Sequence, residues 1–269
     1  MRIFISIVSH HHHDVMINLG TIKALSKYDQ ITVVCCDNEP IGKLRKYCKK
    51  YGAHYIANDK EQGFSSNNNA NYLYCKFELG MEEDDYFILL NPDVFLTNSN
   101  ILKLIETLKV GNIELGIPNL FLDREEMVQD DNIRLYPAFT NFVKTYLFND
   151  RSTMVNRKKG LSSSEAYWGS GAFMILKANI YNELNGLDER YYMYCEDIDL
   201  SFRANKAGFK FQYLEGIKAV HFRQCSSKKF LSKYFFWHVQ SVFKYSLFNK
   251  RNTTLHSRLE YQNRYKKND

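Results

Sequence analysis

The stretch from 191 to 203 reads YYMYCEDIDLSFR and sets Glu196, Asp197 and Asp199 within four residues of one another. Carboxylates this close raise one another's pKa, which suits a general base or a group that holds a hydroxyl. The same residues also suit the first turn of a helix, where acidic side chains complement the dipole. One or two charges satisfy a dipole, whereas three invite chemistry. Helical spacing puts Glu196, Asp199, Leu200 and Arg203 on one face and turns Asp197 by about 100°. One carboxylate can then pair with Arg203 while another faces a cleft. Upstream, the apolar run YFILL leads into Asn91, Pro92 and Asp93. Asp93 can ligate Mg²⁺ or Mn²⁺, hard cations that take carboxylate oxygen and bridge to substrate phosphates. Asn-Pro-Asp is equally ordinary turn chemistry.

Further candidates carry weaker patterns. His221, followed by Phe222 and Arg223, can act as a metal ligand through a neutral imidazole, or as a structural histidine. GFSSNNNAN, residues 63–71, reads as a helix entrance whose Gly63 and amides, Asn67 among them, can approach sugar or phosphate. Asp37 and Asn38 can hydrogen-bond a base edge or a ribose, or close an Asx turn. The run His10 to His13 can take up a transition metal, but a solvated or substrate-facing loop is the simpler expectation.

These residues need a frame. Apolar runs such as IFISIV and YFILLN suit parallel strands covered on both faces, and they alternate with helical patterns as a βαβ series does. Strands are predicted over 2–9, 30–37, 54–57 and 86–91, and helices over 14–27, 41–51, 68–80 and 99–109. The class is therefore α/β, with a mostly parallel central sheet flanked by helices. Ligands of such sheets gather beyond the carboxyl ends of the strands, where Ser9, Asp37 and Asn91 fall. Residues 111–164 read as irregular, with polar and Ser-rich intervals that suggest loops over the site. In WGSGAFMILK, Gly169 and Gly171 permit close backbone approach. A short helix over 177–184 is stopped by Asn185 and Gly186, a second starts at Glu196, and 209–222 alternates as a strand or hairpin ending at His221.

With 269 residues and 45% hydrophobic content, the chain can bury a large core. We expect one catalytic unit over 1–225 and a helical extension over 226–269. Residues 228–269 hold ten Lys or Arg against Glu260 and Asp269, a net +8 that leaves the remainder at −2. A near-neutral body with a basic, aromatic tail points to an anionic membrane surface as partner and away from nucleic acid. Packing of the tail helix on the catalytic unit or another subunit is the alternative. The six cysteines show no CxxC spacing, no run is long enough to span a bilayer, and nothing near the start resembles a signal peptide. Those features predict reduced thiols and a cytoplasmic or peripheral protein.

Taken as an ordered set, Val8-Ser9, Asp37-Asn38, GFSSNNN, LNPDV, WGSGAFMI, GLDERYYMYCEDIDLSFR and AVHF resemble glycosyltransferase family 2. More narrowly they resemble the bacterial rhamnosyltransferases that build O-antigen or related surface polysaccharide on a lipid carrier. The resemblance spans about residues 3–245. It implies a GT-A fold, an inverting mechanism, a nucleotide-sugar donor that is usually dTDP-L-rhamnose, a lipid-linked saccharide acceptor, and a place on the cytoplasmic face of the inner membrane. It makes Asp197 the catalytic base and Asp93 the surviving acid of the DxD metal motif, with Asn91 in place of its first aspartate. His221 becomes a further ligand of Mg²⁺ or Mn²⁺. Ser9, Asp37 and Gly63 fall at the donor's base and ribose, while Trp168, Gly171 and Glu196 fall where donor sugar and acceptor meet. Two rivals stand beside this: a sugar nucleotidylyltransferase, which would carry a Gly-rich, Arg-containing loop where this chain has SHHHHD, and a non-catalytic carbohydrate-binding scaffold.

Overall fold

The computed structural model describes residues 1–223, 233–248 and 255–265. The chain opens with β1 (Ile3–Ser9), α1 (His13–Leu19), α2 (Thr21–Leu25), β2 (Ile31–Asp37), α3 (Gly42–Lys50), β3 (His54–Ala57) and α4 (Phe64–Phe77). It continues through β4 (Tyr86–Leu90), β5 (Val94–Phe95), α5 (Asn98–Val110), β6 (Leu115–Phe121), β7 (Ile133–Leu135) and α6 (Phe139–Phe148). Last come β8 (Tyr167–Gly169), β9 (Phe173–Lys177), α7 (Ala178–Glu183), α8 (Glu196–Lys206), β10 (Phe211–His221), α9 (Lys233–Phe248) and α10 (Arg258–Tyr265).

Eight strands form one sheet in the order β3-β2-β1-β4-β9-β6-β10-β5. Only β9 and β5 run against the others, so the sheet is mostly parallel. Residue alternation along β1 explains its unbroken apolar run. Ile3, Ile5 and Ile7 enter a core with Met16, Leu25, Leu44, Ile101 and Leu104 from α1, α2, α3 and α5. Phe4 points the other way, into a core with Tyr72, Tyr181, Leu200 and Ala204 from α4, α7 and α8. There the rings of Tyr72, Phe87 and Tyr181 meet at centroid separations of 4.9 to 5.1 Å. Such pairs contribute about 0.5–1.5 kcal/mol each beyond the area they bury.

Three expectations are corrected. The helix predicted over 14–27 is two helices, because Gly20 takes a left-handed conformation with φ 68° and bends the chain. The helix predicted from 68 starts at Phe64 and places the asparagine run inside it, buried. Asn68 accepts from Ser6 Oγ at 2.6 Å, while Asn69 accepts from Tyr181 Oη at 2.7 Å and donates to the Leu187 carbonyl at 2.8 Å. Those tertiary bonds outweigh the poor helix propensity of asparagine. The irregular stretch contains β6, every residue of which is buried, then β7, which pairs with β8 just beyond the stretch, and α6. Pro118 is tolerated inside β6 because the partner strand β10 shifts register there, between Leu214 and Lys218.

The described helices of the expected extension pack on the preceding residues. Val242 and Tyr245 of α9 share a core with Tyr191, Cys195 and Ile198, and Leu259 of α10 joins the core behind α4. Among the described residues no helix is long and apolar enough to cross a membrane. The five described cysteines are free and buried, and burial pushes the Cys36 thiol up to about 12. Cys225, with Lys228 and Lys229, lies outside the described residues.

Candidate active site

The antiparallel pairing of β4 with β9 brings the two acidic motifs to one end of the sheet. Beyond the last paired residues, the Asn91 N–H donates to the Ala172 carbonyl at 2.8 Å. The adjacent Gly171 N–H donates to Asp197 Oδ2 at 3.1 Å, and the Ile198 N–H donates to Asp197 Oδ1 at 2.9 Å. Asp93 and Asp197 are thus linked by two hydrogen bonds, through Asn91, Pro92 and Asp93 on one side and Ala172 and Gly171 on the other.

α8 begins after two residues in left-handed conformation, Tyr194 with φ 72° and Cys195 with φ 68°. For residues with a Cβ such angles cost on the order of 1 kcal/mol each, and they persist where packing over-determines them. Here Tyr191 and Cys195 are clamped between Ile198, Val242 and Tyr245. Burial raises the Asp197 carboxyl, and the N–H groups of Gly171 and Ile198 and the charge of Arg134 offset only part of that rise. A carboxylate poised above its ordinary range is a better proton acceptor near neutral pH. Glu196 is held up further, by burial and by the charge of Asp197, and its buried Oε2 has no hydrogen-bond partner among the described residues. Asp199 pairs with Arg203 at 2.8 Å, as the helical spacing predicts.

On the other flank, Val94 of β5 pairs with His221 at the end of β10, which sets Asp93 beside that histidine. His221 Nε2 lies 3.4 Å from Asp93 Oδ1, and Nδ1 lies 2.7 Å from Asp130 Oδ2. Arg223 also binds the Asp130 carboxylate. Burial alone lowers the His221 pKa, but hydrogen bonds to Asp130 and Asp93 outweigh it and bring it to about 9. Burial likewise pushes the Asp93 and Asp130 carboxyls up, and the hydrogen bond and charge of His221 hold both below the usual range. A hard carboxylate next to an imidazole whose far nitrogen is fixed by a second carboxylate suits Mn²⁺ or Mg²⁺ completed by phosphate oxygens. The residues present fit such an ion.

The donor-side candidates divide. Ser9 Oγ is fully buried at the end of β1 and has no hydrogen-bond partner among the described residues. Asn91, just past the end of β4, is partly exposed. Three other candidates have partners or packing of their own. Asp37 is enclosed, accepting from Tyr55 Oη at 2.8 Å and facing His13 Nε2 at 3.0 Å. Asn67 is also fully buried, its amide spent on Asn38 Oδ1 and the Gln62 carbonyl and its oxygen on Asn58. Gly63 answers to packing, since a Cβ there would sit 2.5 Å from the Tyr192 carbonyl oxygen.

On the acceptor side, Trp168 Nε1 donates to the Leu135 carbonyl at 3.1 Å, and the Arg134 guanidinium lies 5.8 Å from its ring centre. Gly169 is required sterically, because a Cβ would press into Ile117 at 2.2 Å. Gly171 is not: a Cβ would meet Phe64 and Asp197 at ordinary contact, and the glycine acts through its N–H. Arg203, which the sequence pairs with one of the carboxylates, acts as a strut. Besides Asp199, it donates to the carbonyls of Leu184 and Gly186 and ties α8 to the end of α7.

Several residues escaped the sequence. Asp130 and Arg134 lie in and just after an interval read as polar loop, and nothing in their spacing marks them. The histidine run splits. His13 is buried on Asp37, burial lowers the pKa of His12 next to Asp93, and His11 Nε2 meets Glu39 Oε1 at 2.7 Å. His10, His11 and Glu39 come close enough to share a cation at the ends of β1 and β2. α10 reaches the same region. Arg258 binds Glu189 at 3.1 Å, Gln62 Oε1 at 3.0 Å and Ser66 Oγ, next to Asn67 at the start of α4. A groove of about 720 Å³ among α1, α2, α3 and β5 contains neither carboxylate nor imidazole and plays no part here.

No family model matches the chain. It is 30% identical over 245 residues to the rhamnosyltransferase WbbL of Escherichia coli (strain K12), a match covering 90% of this chain and 92% of the relative. It is 27% identical over 150 residues to the N-acetylglucosaminyl-diphospho-decaprenol L-rhamnosyltransferase of Mycobacterium tuberculosis (strain CDC 1551 / Oshkosh), covering 54% of this chain and 49% of that protein. The fold matches the mannosyltransferase PcManGT from Pyrobaculum calidifontis, solved with GDP-Man and Mn²⁺, with a TM-score of 0.55 at 12% identity. That match covers 91% of this chain and 64% of the other.

Proposed function

This chain belongs to the rhamnosyltransferase-like glycosyltransferases of family 2, with the GT-A fold, and from that premise we propose that it transfers L-rhamnose from dTDP-L-rhamnose to a lipid-linked saccharide with inversion. The observation that carries the proposal is the junction at Asn91 and Ala172. Through it, a carboxylate with a raised pKa and a carboxylate–imidazole pair are brought to the same end of the sheet.

Asp197 accepts the proton of the attacking acceptor hydroxyl, and the Gly171 and Ile198 N–H groups hold its carboxylate in place while it does so. Attack comes from the side opposite the diphosphate, so the anomeric configuration inverts in one displacement. Asp93 and His221 would hold Mg²⁺ or Mn²⁺, which when bound offsets charge on the leaving diphosphate. Glu196 holds an acceptor hydroxyl through its unpartnered oxygen, and Trp168, with Arg134 across its face, lines the sugar subsite. Ser9 and Asn91 meet the nucleotide side of the donor. The name of the mycobacterial relative supports a polyprenyl-diphosphate sugar as the acceptor class, and the crystallised neighbour with Mn²⁺ supports a divalent ion. Such an acceptor places the enzyme at the cytoplasmic face of the inner membrane, in synthesis of O-antigen or related surface polysaccharide.

Asp197→Asn tests the base. The amide cannot take a proton, so turnover should fall by roughly 10²–10⁴-fold while dTDP-L-rhamnose binding stays within a few-fold. Transfer at near-normal rate by this variant would remove Asp197 from the role. Thermal shift with dTDP-, UDP- and GDP-sugars, each with and without Mn²⁺, separates the donors, since a ligand that binds only the folded state raises its stability.

A further inference from the structure

α9 carries apolar side chains on both its buried and its exposed sides. Its inner side carries Ser241, whose Oγ donates to the Met193 carbonyl at 2.8 Å, together with Val242 and Tyr245. Its outer side carries Phe236, Val239, Phe243 and Leu247, a spacing that lines one stripe. Phe236, Phe243 and Leu247 are each at least 55% exposed. α6 adds a parallel stripe of Phe139, Val143 and Leu147, the last 63% exposed. The stripes join where the Phe139 and Phe243 rings lie 5.6 Å apart. Exposed apolar surface that is contiguous over two helices marks an interaction site.

We propose that this composite face of α6 and α9 docks the protein on the surface of an anionic lipid bilayer. Charge selects lipid over a second copy of the chain. Neither helix contains an Asp or Glu; Lys144 is exposed on α6, Lys233 and Lys244 of α9 turn inward to His10 and the Arg190 carbonyl, and Lys228, Lys229, Lys250 and Arg251 flank α9 in sequence. Large apolar and aromatic side chains bordered by cations suit the headgroup boundary. Position supports the same partner. The inner side of α9 packs Trp237 on Tyr192 at 4.5 Å and His238 on Tyr194 at 5.2 Å, and these tyrosines lead directly into Glu196 and Asp197. Docking through the outer side therefore sets the acceptor side of the cleft beside the lipid surface, where a lipid-carried sugar is presented. That consequence rests on the acceptor proposed above, but the docking itself does not.

The test is co-sedimentation of the full chain with phosphatidylcholine vesicles, with and without phosphatidylglycerol. Phe243→Glu and Leu147→Glu are compared with the parent, and donor binding and thermal unfolding serve as fold controls. The parent should pellet with the anionic vesicles and be released by high salt. Each variant should bind roughly tenfold more weakly or worse with unchanged unfolding and donor binding. The proposal is overturned if the parent stays in the supernatant, or if Leu147→Glu pellets like the parent, which removes α6. It is overturned as well if sedimentation equilibrium finds a dimer that both variants dissolve while vesicle binding is absent. Vesicle binding involves no sugar transfer, so a wrong donor or acceptor would leave this result intact.

Discussion

Raising the pH in the presence of a chelator removes the proton that ties His221 to two carboxylates. The imidazole pKa is about 9 in the folded protein against 6.5 ordinarily. A raised pKa contributes stability that is fully present below 6.5 and is lost as pH rises through about 9. The difference between the two values corresponds to roughly 3 kcal/mol at 1.36 kcal/mol per unit, a large share of the stability of a typical domain. Urea unfolding of the metal-free protein at a series of pH values reads this directly. Buried thiols such as Cys36, pushed up to about 12, also weaken the fold at alkaline pH. The informative quantity is therefore the gap between the parent and His221→Gln, which should close by most of those 3 kcal/mol as pH climbs from about 6.5 to 9. Mn²⁺ affinity should move oppositely, tightening by about tenfold per pH unit below 9, because the ion must displace the same proton. A gap that stays constant with pH would refute the charged His221 between Asp93 and Asp130, and pH-independent Mn²⁺ binding would remove His221 from the ligand set.

Glu196→Gln should stabilise the fold increasingly as pH rises above the ordinary carboxyl range, because a buried acid with a raised pKa favours folding less and less once the unfolded chain ionises. Melting temperatures of variant and parent across pH 5 to 8, converging instead of diverging, would contradict the buried neutral carboxyl. Gly63→Ala should cost about 1–3 kcal/mol in urea unfolding and weaken donor binding, since its methyl would meet the Tyr192 backbone, which cannot yield as a side chain can. Asn69→Ala should cost about 2–4 kcal/mol, because it strands the Tyr181 hydroxyl and the backbone of Leu187; a loss under 1 kcal/mol would mean those groups find other partners.

Much of the frame was readable because parallel strands and carboxyl-end ligand sites leave periodic traces. β1, β2, β3 and β4 fall within a residue or two of their predicted limits, and α8 starts at Glu196 as its acidic first turn suggests. β6 was hidden by Pro118, which reads as a strand breaker until the register shift of β10 is known. α6 was hidden because its apolar side faces outward and its surroundings are polar. In the site, Asp93 and Asp197 announced themselves by charge at element ends. The intramolecular partners of Asp37, Asn67 and Arg203 could not be read in advance, because a polar residue near a strand or helix end carries the same sequence signal whether its partner is a ligand or another side chain. Asp130 and Arg134 act through contacts across β6, β7 and β10, and no local pattern encodes pairings between segments so far apart.

The hold of Arg258 on Glu189, Gln62 and Ser66 reaches into protein engineering. Trimming the chain behind β10 keeps every side chain given a chemical role here and looks like a way to obtain a tidier enzyme. It would also cut away the clamp on the loop before α4, so a shortened version should bind sugar nucleotide poorly for a mechanical reason. Loss of activity on truncation would then be mistaken for loss of membrane contact, and the two are separable only by substitutions on the outward side of the helices.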